Sequence, residues 1–309
     1  MPSPPVDILA IAAHRDDVEQ TCGGTLLKMA ERGHLTGILD LTRGEMGTRG
    51  TAEERAQEAA DAARILCVSW REALDIPDGR VENTWENRLK VARVIRHTRP
   101  RVVILPYWRG RHPDHYTASK LGYEACFLAG LAKLSIIPQP SAVSGGHVAP
   151  SNESEESAFR RVASAVASVV AGEKPRIPAS AAAGEKIGQA DGTTKGRPLT
   201  DRPAPESLAP HRPFKIIYAT LYYDIRPTFV VDITDQFEAR FESLMAYKSQ
   251  FSDQEAGQDI FPARAEIRAR IEALARFYGT LAGVTYAEPF LQKEVGLIND
   301  VIAIPVKSI

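Results

Sequence analysis

Short apolar runs alternate with longer amphipathic segments through the first 133 residues. The apolar runs predict strands at residues 7–13, 35–41 and 101–106, and residues 70–74 are a short strand candidate. Helical periodicity between and after these runs predicts helices at residues 21–32, 52–66, 83–98 and 114–133. Thr51 and Glu54 have the spacing of a capping box, which supports a helix start at residue 52. The alternation predicts a Rossmann-like three-layer α/β/α fold, in which a mostly parallel sheet lies between two layers of helices.

The alternation stops between residues 139 and 212, where Ala, Ser, Gly, Pro and charged residues dominate without a period that could bury one face. We interpret this segment as a flexible insertion in a single domain of residues 1–309, with one short helix as a candidate at 159–171. Regular patterns then return and predict strands at 215–223 and 228–232 and helices at 235–247 and 265–282.

Reactive side chains follow the first predicted strand. His14, Asp16 and Asp17 come directly after its apolar run. Ligands bind outside the carboxyl ends of strands in open α/β sheets, and imidazole nitrogen with carboxylate oxygen suits Zn²⁺ and some other divalent ions. A structural alternative exists, because acidic residues are also favoured at the N-terminus of a helix. This cluster alone leaves both interpretations open.

A second cluster follows the strand predicted at 101–106, where His112, Asp114 and His115 lie in the segment His-Pro-Asp-His. Two histidines and one carboxylate around an open coordination position are typical of catalytic zinc. The second cluster supplies the ligand that the first one lacks. It also leaves surplus groups that could act as a general base and as a stabiliser of a developing oxyanion. The two strand ends together predict one catalytic metal site.

Composition narrows the classes of partner. A formal net charge of -1 argues against a broad nucleic-acid-binding surface, and no apolar segment has transmembrane length, so we expect neither nucleic acid nor membrane as a partner. Cys22, Cys67 and Cys126 lie far apart and form neither a disulfide framework nor a zinc-binding pair. Because the first residues also lack a signal-peptide pattern, we expect a cytoplasmic protein.

The pattern Ala-His-x-Asp-Asp after one strand, with His-Pro-Asp-His after a later one, resembles the LmbE-like or PIG-L family of zinc-dependent N-acetylglucosamine deacetylases. Further segments look like the bacillithiol-biosynthesis deacetylase branch of that family, at residues 41–51, 106–108, 229–233, 247–251 and 283–290. The resemblance covers residues 6–137 and 213–303. It implies an LmbE-like fold and a homo-oligomer, either a trimer or a hexamer.

The resemblance also implies a role for each reactive residue. His14, Asp17 and His115 become the zinc ligands, and Asp16 becomes the general base that takes a proton from the attacking water. His112 becomes the electrostatic partner of the oxyanion or the acid for the leaving amine. Asp114 is expected to orient His112, to fix its tautomer and to keep it cationic.

Two arginines are implied as substrate contacts, Arg55 by its place in the family pattern and Arg111 by its position beside His112. Guanidinium groups suit the carboxylates of a glucosaminyl malate, although a solvated residue on the first turns of a helix is an alternative for Arg55. The chain departs from the pattern at Arg15, where many members have proline and where a cation could alter substrate preference. It has Gly110 where some members offer a tyrosine to the oxyanion.

The expected activity is zinc-dependent hydrolysis of the N-acetyl group of an N-acetylglucosaminyl conjugate, with N-acetylglucosaminyl malate of bacillithiol biosynthesis as the expected substrate. Two alternatives remain open. One is another amidase of the same superfamily, acting on a chitooligosaccharide, a glycopeptide or a thiol conjugate. The other is a non-catalytic metal- and sugar-binding protein, against which the surplus carboxylate of Asp16 argues.

Overall fold

A computed structural model of the chain describes residues 5–137, 207–220, 225–251, 263–304 and 306. Most of the predicted insertion, including the helix expected at 159–171, lies outside the described residues. None of the helices in the described ranges is both long and apolar enough to cross a bilayer.

Within the described residues, seven strands form one sheet in the order β3-β2-β1-β4-β5-β7-β6. Their bounds are β1 Ile8–Ala12, β2 Thr36–Asp40, β3 Trp70–Ala73, β4 Val102–Pro106, β5 Lys215–Ala219, β6 Phe229–Asp232 and β7 Ala287–Leu291. The first five strands in this order are parallel to their neighbours, whereas β7 runs antiparallel to both β5 and β6. The prediction of a mostly parallel sheet is confirmed. Strand β7, which contains Pro289, was not predicted as a strand.

Eight helices cover the sheet in the described ranges: α1 Asp17–Thr21, α2 Gly23–Glu31, α3 Ala52–Ile65, α4 Trp85–Thr98, α5 Pro113–Ala129, α6 Phe237–Met245, α7 Lys248–Phe251 and α8 Arg264–Ala282. The capping box at the start of α3 is confirmed, with Thr51 and Glu54 satisfying each other's backbone N–H groups. The prediction of a single helix at 21–32 is wrong about where the helix starts. Helix begins at Asp17 and is interrupted at Cys22, whose backbone is not helical.

Side chains alternate between the two faces of the sheet and build a hydrophobic core on each. Leu9 and Ile11 of β1 face one core together with α4 and α5. Ala10 and Ala12 face the other core together with α1 and α2. Helices therefore cover both faces, and the three-layer α/β/α architecture is confirmed.

The connectivity places the two reactive clusters side by side. From β1 the chain moves outward to β2 and β3, and it then returns to form β4 on the opposite side of β1. Strands β1 and β4 pair directly, for example at Ala10 and Ile104. Such a reversal of strand order opens a crevice at the carboxyl ends of the strands, where ligands bind in this class of fold.

Residues on either side of the predicted insertion meet on the surface of the domain. The Leu208 N–H donates to the Ile136 carbonyl at 2.8 Å, and the Ile136 N–H donates to Ser207 Oγ at 3.0 Å. The buried Arg96 of α4 also donates to the Leu208 carbonyl at 3.0 Å. The structure thus places residues 207–212, the last part of the predicted insertion, against the helices of the domain.

Candidate metal centre

The turn after β1 holds two of the predicted metal ligands against each other. Asp17 opens α1, and its Oδ2 accepts a hydrogen bond of 2.9 Å from the His14 backbone N–H. The same oxygen lies 3.5 Å from Nδ1 of the His14 ring. The turn from strand to helix therefore aims an imidazole nitrogen and a carboxylate at one point.

The third predicted ligand reaches this point from the first turn of α5. His115 Nε2 lies 3.1 Å from Asp17 Oδ1 and 3.2 Å from His14 Nδ1. Zinc ligands at tetrahedral angles, with bonds of about 2.0–2.1 Å, lie about 3.3 Å apart. The nitrogen–nitrogen–carboxylate donor set and its spacing therefore fit a zinc ion.

Behind His14 stand two carboxylates that face its other ring nitrogen. His14 Nε2 lies 3.1 Å from Asp78 Oδ1 and 3.5 Å from Asp114 Oδ2. Asp114 is itself held by hydrogen bonds from the N–H groups of Gly79 and Val81, at 2.8 and 3.1 Å. A carboxylate behind a ligating imidazole fixes its tautomer and raises its basicity.

The sequence did not identify Asp78 as a site residue. Asp78 follows β3, two strands away from β1, and its loop has to cross the end of β2 to reach His14. The sequence did contain a signal for Asp78, because a carboxylate shortly after the end of a third strand could reach the same edge of the sheet.

The charged groups packed around His14 and Asp17 shift the pKa values of both side chains. Burial alone would lower the pKa of His14, but Asp114, Asp17 and Asp78 together raise it to about 12. Burial alone would raise the pKa of Asp17, but His115 and His14 hold it well below its usual range. Without a metal, the cluster is therefore held together by a protonated His14 and an ionised Asp17.

His112 differs from the expectation in both its partner and its charge. The Asp114 carboxylate faces His14, and it is the Asp114 backbone N–H that donates to His112 Nδ1, at 3.2 Å. Burial, together with the positive charges of His14 and His115, lowers the pKa of His112. Since Nδ1 accepts a hydrogen bond, the neutral ring carries its proton on Nε2. The structure thus gives His112 the backbone of Asp114 as its partner, and the expected orientation of His112 by the Asp114 carboxylate stays a prediction.

Asp16 is the surplus carboxylate beside the ligands. Its Oδ2 accepts a hydrogen bond of 3.1 Å from Gln20 Nε2, and its Oδ1 lies 3.4 Å from Arg55 Nη2. Burial raises the pKa of Asp16, and the adjacent Asp17 adds to this, whereas Arg55 opposes it. A carboxylate with a raised pKa is a stronger base at neutral pH.

Of the two arginines implied as substrate contacts, Arg55 lies inside the protein. It is 4% exposed and donates from Nη1 to the Gly44 carbonyl at 3.2 Å. Gly44 has a φ of +73°, and a side chain there would overlap the Arg55 guanidinium. The glycine-rich loop after β2 therefore wraps Arg55 closely and holds it against Asp16. Arg111 is exposed, at the mouth of the adjoining cavity.

The Arg15 side chain is buried beside the site. It is 6% exposed and donates to the Ala52 carbonyl at 2.6 Å. Its carbonyl, which lies between a ligand and the base in sequence, accepts hydrogen bonds from Arg71 and from the Tyr247 hydroxyl. Arg71 is anchored in turn by Asp40, at 2.9 and 3.0 Å. These buried donors fix the turn that carries the predicted ligands.

A cavity of about 310 Å³ opens beside the ligand cluster. Its mouth is lined by Arg109, Gly110, Arg111, His112 and His115. Its inner wall consists of residues at the ends of β1, β4 and β5 and on one face of α1. A pocket of this size with converging polar groups at one side is the usual form of a small-molecule site.

Comparison with known proteins assigns the family. Residues 9–126 match the model of the PIG-L family, described as GlcNAc-PI de-N-acetylase. The chain is also 30% identical over 125 residues to the uncharacterized deacetylase YaiS of Escherichia coli, covering 38% of this chain and 67% of that protein. The chain belongs to the PIG-L family.

Other relatives match over nearly the whole length. The diacetylchitobiose deacetylase of Thermococcus kodakarensis is 27% identical over 292 residues, which is 91% of this chain and 80% of that enzyme. The solved structure of the conserved protein TT1542 from Thermus thermophilus is similar with a TM-score of 0.64 and 31% identity, covering 95% of this chain and 98% of that one. The predicted PIG-L membership and fold are therefore confirmed, whereas the bacillithiol branch stays a prediction.

Proposed function

We propose that this PIG-L protein is a zinc-dependent N-deacetylase that removes acetate from an N-acetylglucosaminyl conjugate. One observation carries the proposal. Ligand atoms of His14, Asp17 and His115 stand 3.1–3.5 Å from one another, and a further carboxylate, the half-buried Asp16, comes directly before Asp17 in the same turn. Pure binding of a metal and a sugar has no need for that additional carboxylate.

These three residues would hold a zinc ion, which would supply Lewis acidity to polarise the amide carbonyl and to make water more acidic. Asp16 then takes the proton from the attacking water on its carboxylate, while Arg55 and Gln20 keep that carboxylate in place. The same carboxyl group returns the proton to the leaving nitrogen as the carbon–nitrogen bond breaks.

His112 is proposed to stabilise the oxyanion as a neutral hydrogen-bond donor. The Asp114 N–H occupies its Nδ1, which leaves the Nε2–H to point toward substrate oxygen. A positioned donor of this kind contributes about 2.7–4 kcal/mol to the transition state in other hydrolases. Gly110 offers no hydroxyl at the place where some family members have a tyrosine, so this role falls to His112.

Two arginines favour an acidic aglycone. Arg109 and Arg111 are exposed at the mouth of the cavity, on the side from which the conjugated half of a substrate would enter. Guanidinium groups bind carboxylates by paired hydrogen bonds. N-acetylglucosaminyl malate, which carries two carboxylates, is therefore our proposed substrate. Diacetylchitobiose is the second candidate, because the relative that deacetylates it matches 91% of this chain.

A panel of acetylated substrates tests the proposal. We expect zinc-loaded protein to release acetate from N-acetylglucosaminyl malate with a higher kcat/KM than from diacetylchitobiose or free N-acetylglucosamine. Substituting Arg111→Gln should narrow this preference mainly by raising KM for the malate. A preference for diacetylchitobiose would contradict the proposed acidic substrate but would still support the proposed deacetylase activity. Release of acetate from none of them would overturn the proposed activity.

A further inference from the structure

Helices α1 and α2 meet end to end at Cys22, where the backbone leaves the helical conformation for one residue. The last carbonyl groups of α1 and the first N–H groups of α2 therefore need partners from outside their own helices. Both ends lie inside the protein, because Gln20 and Gly23 on either side of the junction are buried. A buried backbone group without a partner is costly, so other parts of the chain have to supply the partners.

Arg240 of α6 supplies the partner for the end of α1. Its Nε donates to the Glu19 carbonyl at 3.2 Å, and its Nη2 donates to the Gln20 carbonyl. A positive charge at the C-terminus of a helix also matches the direction of the helix dipole. Helix α1 has only five residues, and a helix of that length is not stable by itself in water. The last turn of α1 therefore depends on Arg240.

Glu288 of β7 supplies the partner for the start of α2. Its Oε1 accepts a hydrogen bond of 2.9 Å from the Gly24 N–H. Its Oε2 accepts hydrogen bonds from the N–H and the hydroxyl of Thr25, at 2.7 and 2.6 Å. Gly24 leaves room for the carboxylate, because a Cβ at this position would lie only 3.1 Å from Oε1. The negative charge suits the N-terminus of α2 as the positive charge suits the end of α1.

Arg240 and Glu288 also pair with each other. Nε of Arg240 lies 3.0 Å from Oε1 of Glu288, and the two residues are 3% and 1% exposed. Removal of one partner from a buried pair leaves an uncompensated charge and is strongly destabilising. The pair therefore ties α6 and β7 firmly to the junction between α1 and α2.

Helix α1 also supports the proposed general base. Gln20 lies one helical turn after Asp16, and its Nε2 donates to Asp16 Oδ2 at 3.1 Å. The backbone carbonyl of the same Gln20 is held by Arg240. Misplacement of a catalytic group by about 1 Å can lower a rate by about 10²-fold. A small displacement of the end of α1 is therefore sufficient to affect catalysis.

We propose that Arg240 and Glu288 are positioning residues, which act through α1 and Gln20 to hold the Asp16 carboxylate where it takes a proton from water. This inference rests on the proposed amide hydrolysis. Both residues lie beyond residues 9–126, the part of the chain that matches the PIG-L family model. The predicted ligands and base come from that part, whereas the alignment of the base depends on α6 and β7.

Arg240→Lys tests the contact with α1. Lysine keeps the charge beside Glu288, but its ammonium lacks the planar fork that reaches the two carbonyls and the carboxylate together. We expect kcat for acetate release to fall by about 10–100-fold, while KM and zinc affinity stay within about threefold of wild type. A folded Arg240→Lys protein with the kcat of wild type, or with an equal loss of zinc affinity, would overturn the inference.

Arg96→Lys is the matched control for this variant. Arg96 of α4 is also buried and also donates to main-chain carbonyls, but it lies on the opposite face of the sheet from α1. The same substitution there should leave kcat unchanged. An equal loss of kcat in Arg96→Lys would show that any buried arginine of the domain has this effect, and would contradict the assignment to α1.

Gln20→Ala separates positioning from a general loss of stability. If the pair acts through Gln20, Arg240→Lys should lower kcat much less when residue 20 is already alanine, because residues that act on one another have non-additive effects. Glu288→Gln should show the same dependence on Gln20. If that protein folds poorly, Thr25→Val replaces it, since it removes only the hydroxyl that donates to Glu288. Fully independent effects on kcat would contradict the inference.

Amide hydrogen exchange of the zinc-loaded protein separates this inference from the proposed function. Exchange in α1, which includes the Cys22 N–H that donates to the Val18 carbonyl, should be at least about tenfold faster in Arg240→Lys than in wild type. It should be unchanged in Arg96→Lys. If wild type hydrolyses no substrate but this difference is present, the proposed function fails and the hold of the pair on α1 stands. Equal exchange in Arg240→Lys and wild type would refute the inference whatever the activity assays show.

Discussion

Individual residues in the site divide into those that would hold the metal and those that act beside it. His14 links the two groups, because its Nδ1 faces Asp17 and His115 while its Nε2 faces Asp78 and Asp114. The sequence predicted the two clusters and their convergence from their places after two strands. It could not predict the partner of each ring, because side-chain pairing depends on how the loops after β3 and β4 cross the sheet edge.

Asp16→Asn is expected to keep its zinc and to lose most turnover. Asparagine preserves the shape of the side chain and can still contact Arg55 and Gln20, but it cannot accept a proton. Loss of a general base typically lowers the rate by about 10²–10⁴-fold. Metal analysis and kcat for acetate release measure the two effects. Activity within a few-fold of wild type would show that another group takes the proton.

Asp78→Asn tests the residue that the sequence left unidentified. Removing the charge behind His14 should weaken zinc binding by about 10–100-fold, the usual effect of losing such a partner. Asp75→Asn is the matched control, since Asp75 lies in the same loop but pairs with the half-buried Lys90 at the surface. Competition against a zinc chelator measures both affinities. Equal affinities in the two variants would mean that Asp78 does not support the site.

Among the elements, strands were predicted better than helix ends. Strands β1, β2 and β4 were predicted from apolar runs that are typical of a buried parallel sheet, β3 was predicted as a short candidate, and all four positions are confirmed. Helix α1 was missed because its five residues, Asp17–Thr21, are too few to show a period, and α2 begins after a break at Cys22. Strand β7 was missed because proline argues against a central strand, yet Pro289 lies in β7, between β5 and β6.

The turn between β1 and α1 depends on an element distant in sequence. Tyr247, fully buried just before α7, donates its hydroxyl to the Arg15 carbonyl and lies near Glu19. Tyr247→Phe removes this donor without opening a cavity. We expect a loss of about 1–3 kcal/mol in the free energy of unfolding, the cost of leaving a buried polar group with fewer partners.

Urea unfolding of the zinc-free protein measures this change. Ser249→Ala is a suitable comparison, because Ser249 follows closely in sequence but bonds to Glu58 rather than to the turn. A change below about 0.5 kcal/mol for Tyr247→Phe, less than a typical buried hydrogen bond contributes, would show that Arg71 alone is sufficient to hold the Arg15 carbonyl.

At the level of the whole molecule, the three-layer architecture and the family were both predictable from the sequence, which also predicts a homo-oligomer and a cytoplasmic location. The predicted ligands and the groups beside them come from the segments that follow β1, β3 and β4, and Arg55 comes from the segment after β2, all within residues 5–137. The remaining sheet, β5 to β7, adds the far wall of the cavity through Ala219 and Thr220. The described end of the insertion, residues 207–212, contacts the helices of the domain instead of lining the cavity.

We therefore predict that the insertion is dispensable for the chemistry. Because Ile136 and Leu208 are hydrogen-bonded to each other, residues 139–206 can be replaced by a short flexible linker. The shortened protein should stay folded, bind zinc and keep its turnover on a minimal substrate, with stability changed by only a few kcal/mol. A changed KM or oligomer mass would assign the segment to a lid or a subunit contact. A folded, zinc-binding variant without turnover would make it part of the active site.

Zinc-dependent release of acetate tests the central claim most directly. Metal-free protein is titrated with zinc, and acetate formed from N-acetylglucosaminyl malate is measured at each point beside the bound metal. We predict that activity rises linearly and saturates at one zinc per chain, and that His115→Ala keeps its fold but neither binds zinc stoichiometrically nor gains activity. Full zinc occupancy in His115→Ala at comparable affinity, or acetate release that is independent of zinc, would contradict the account.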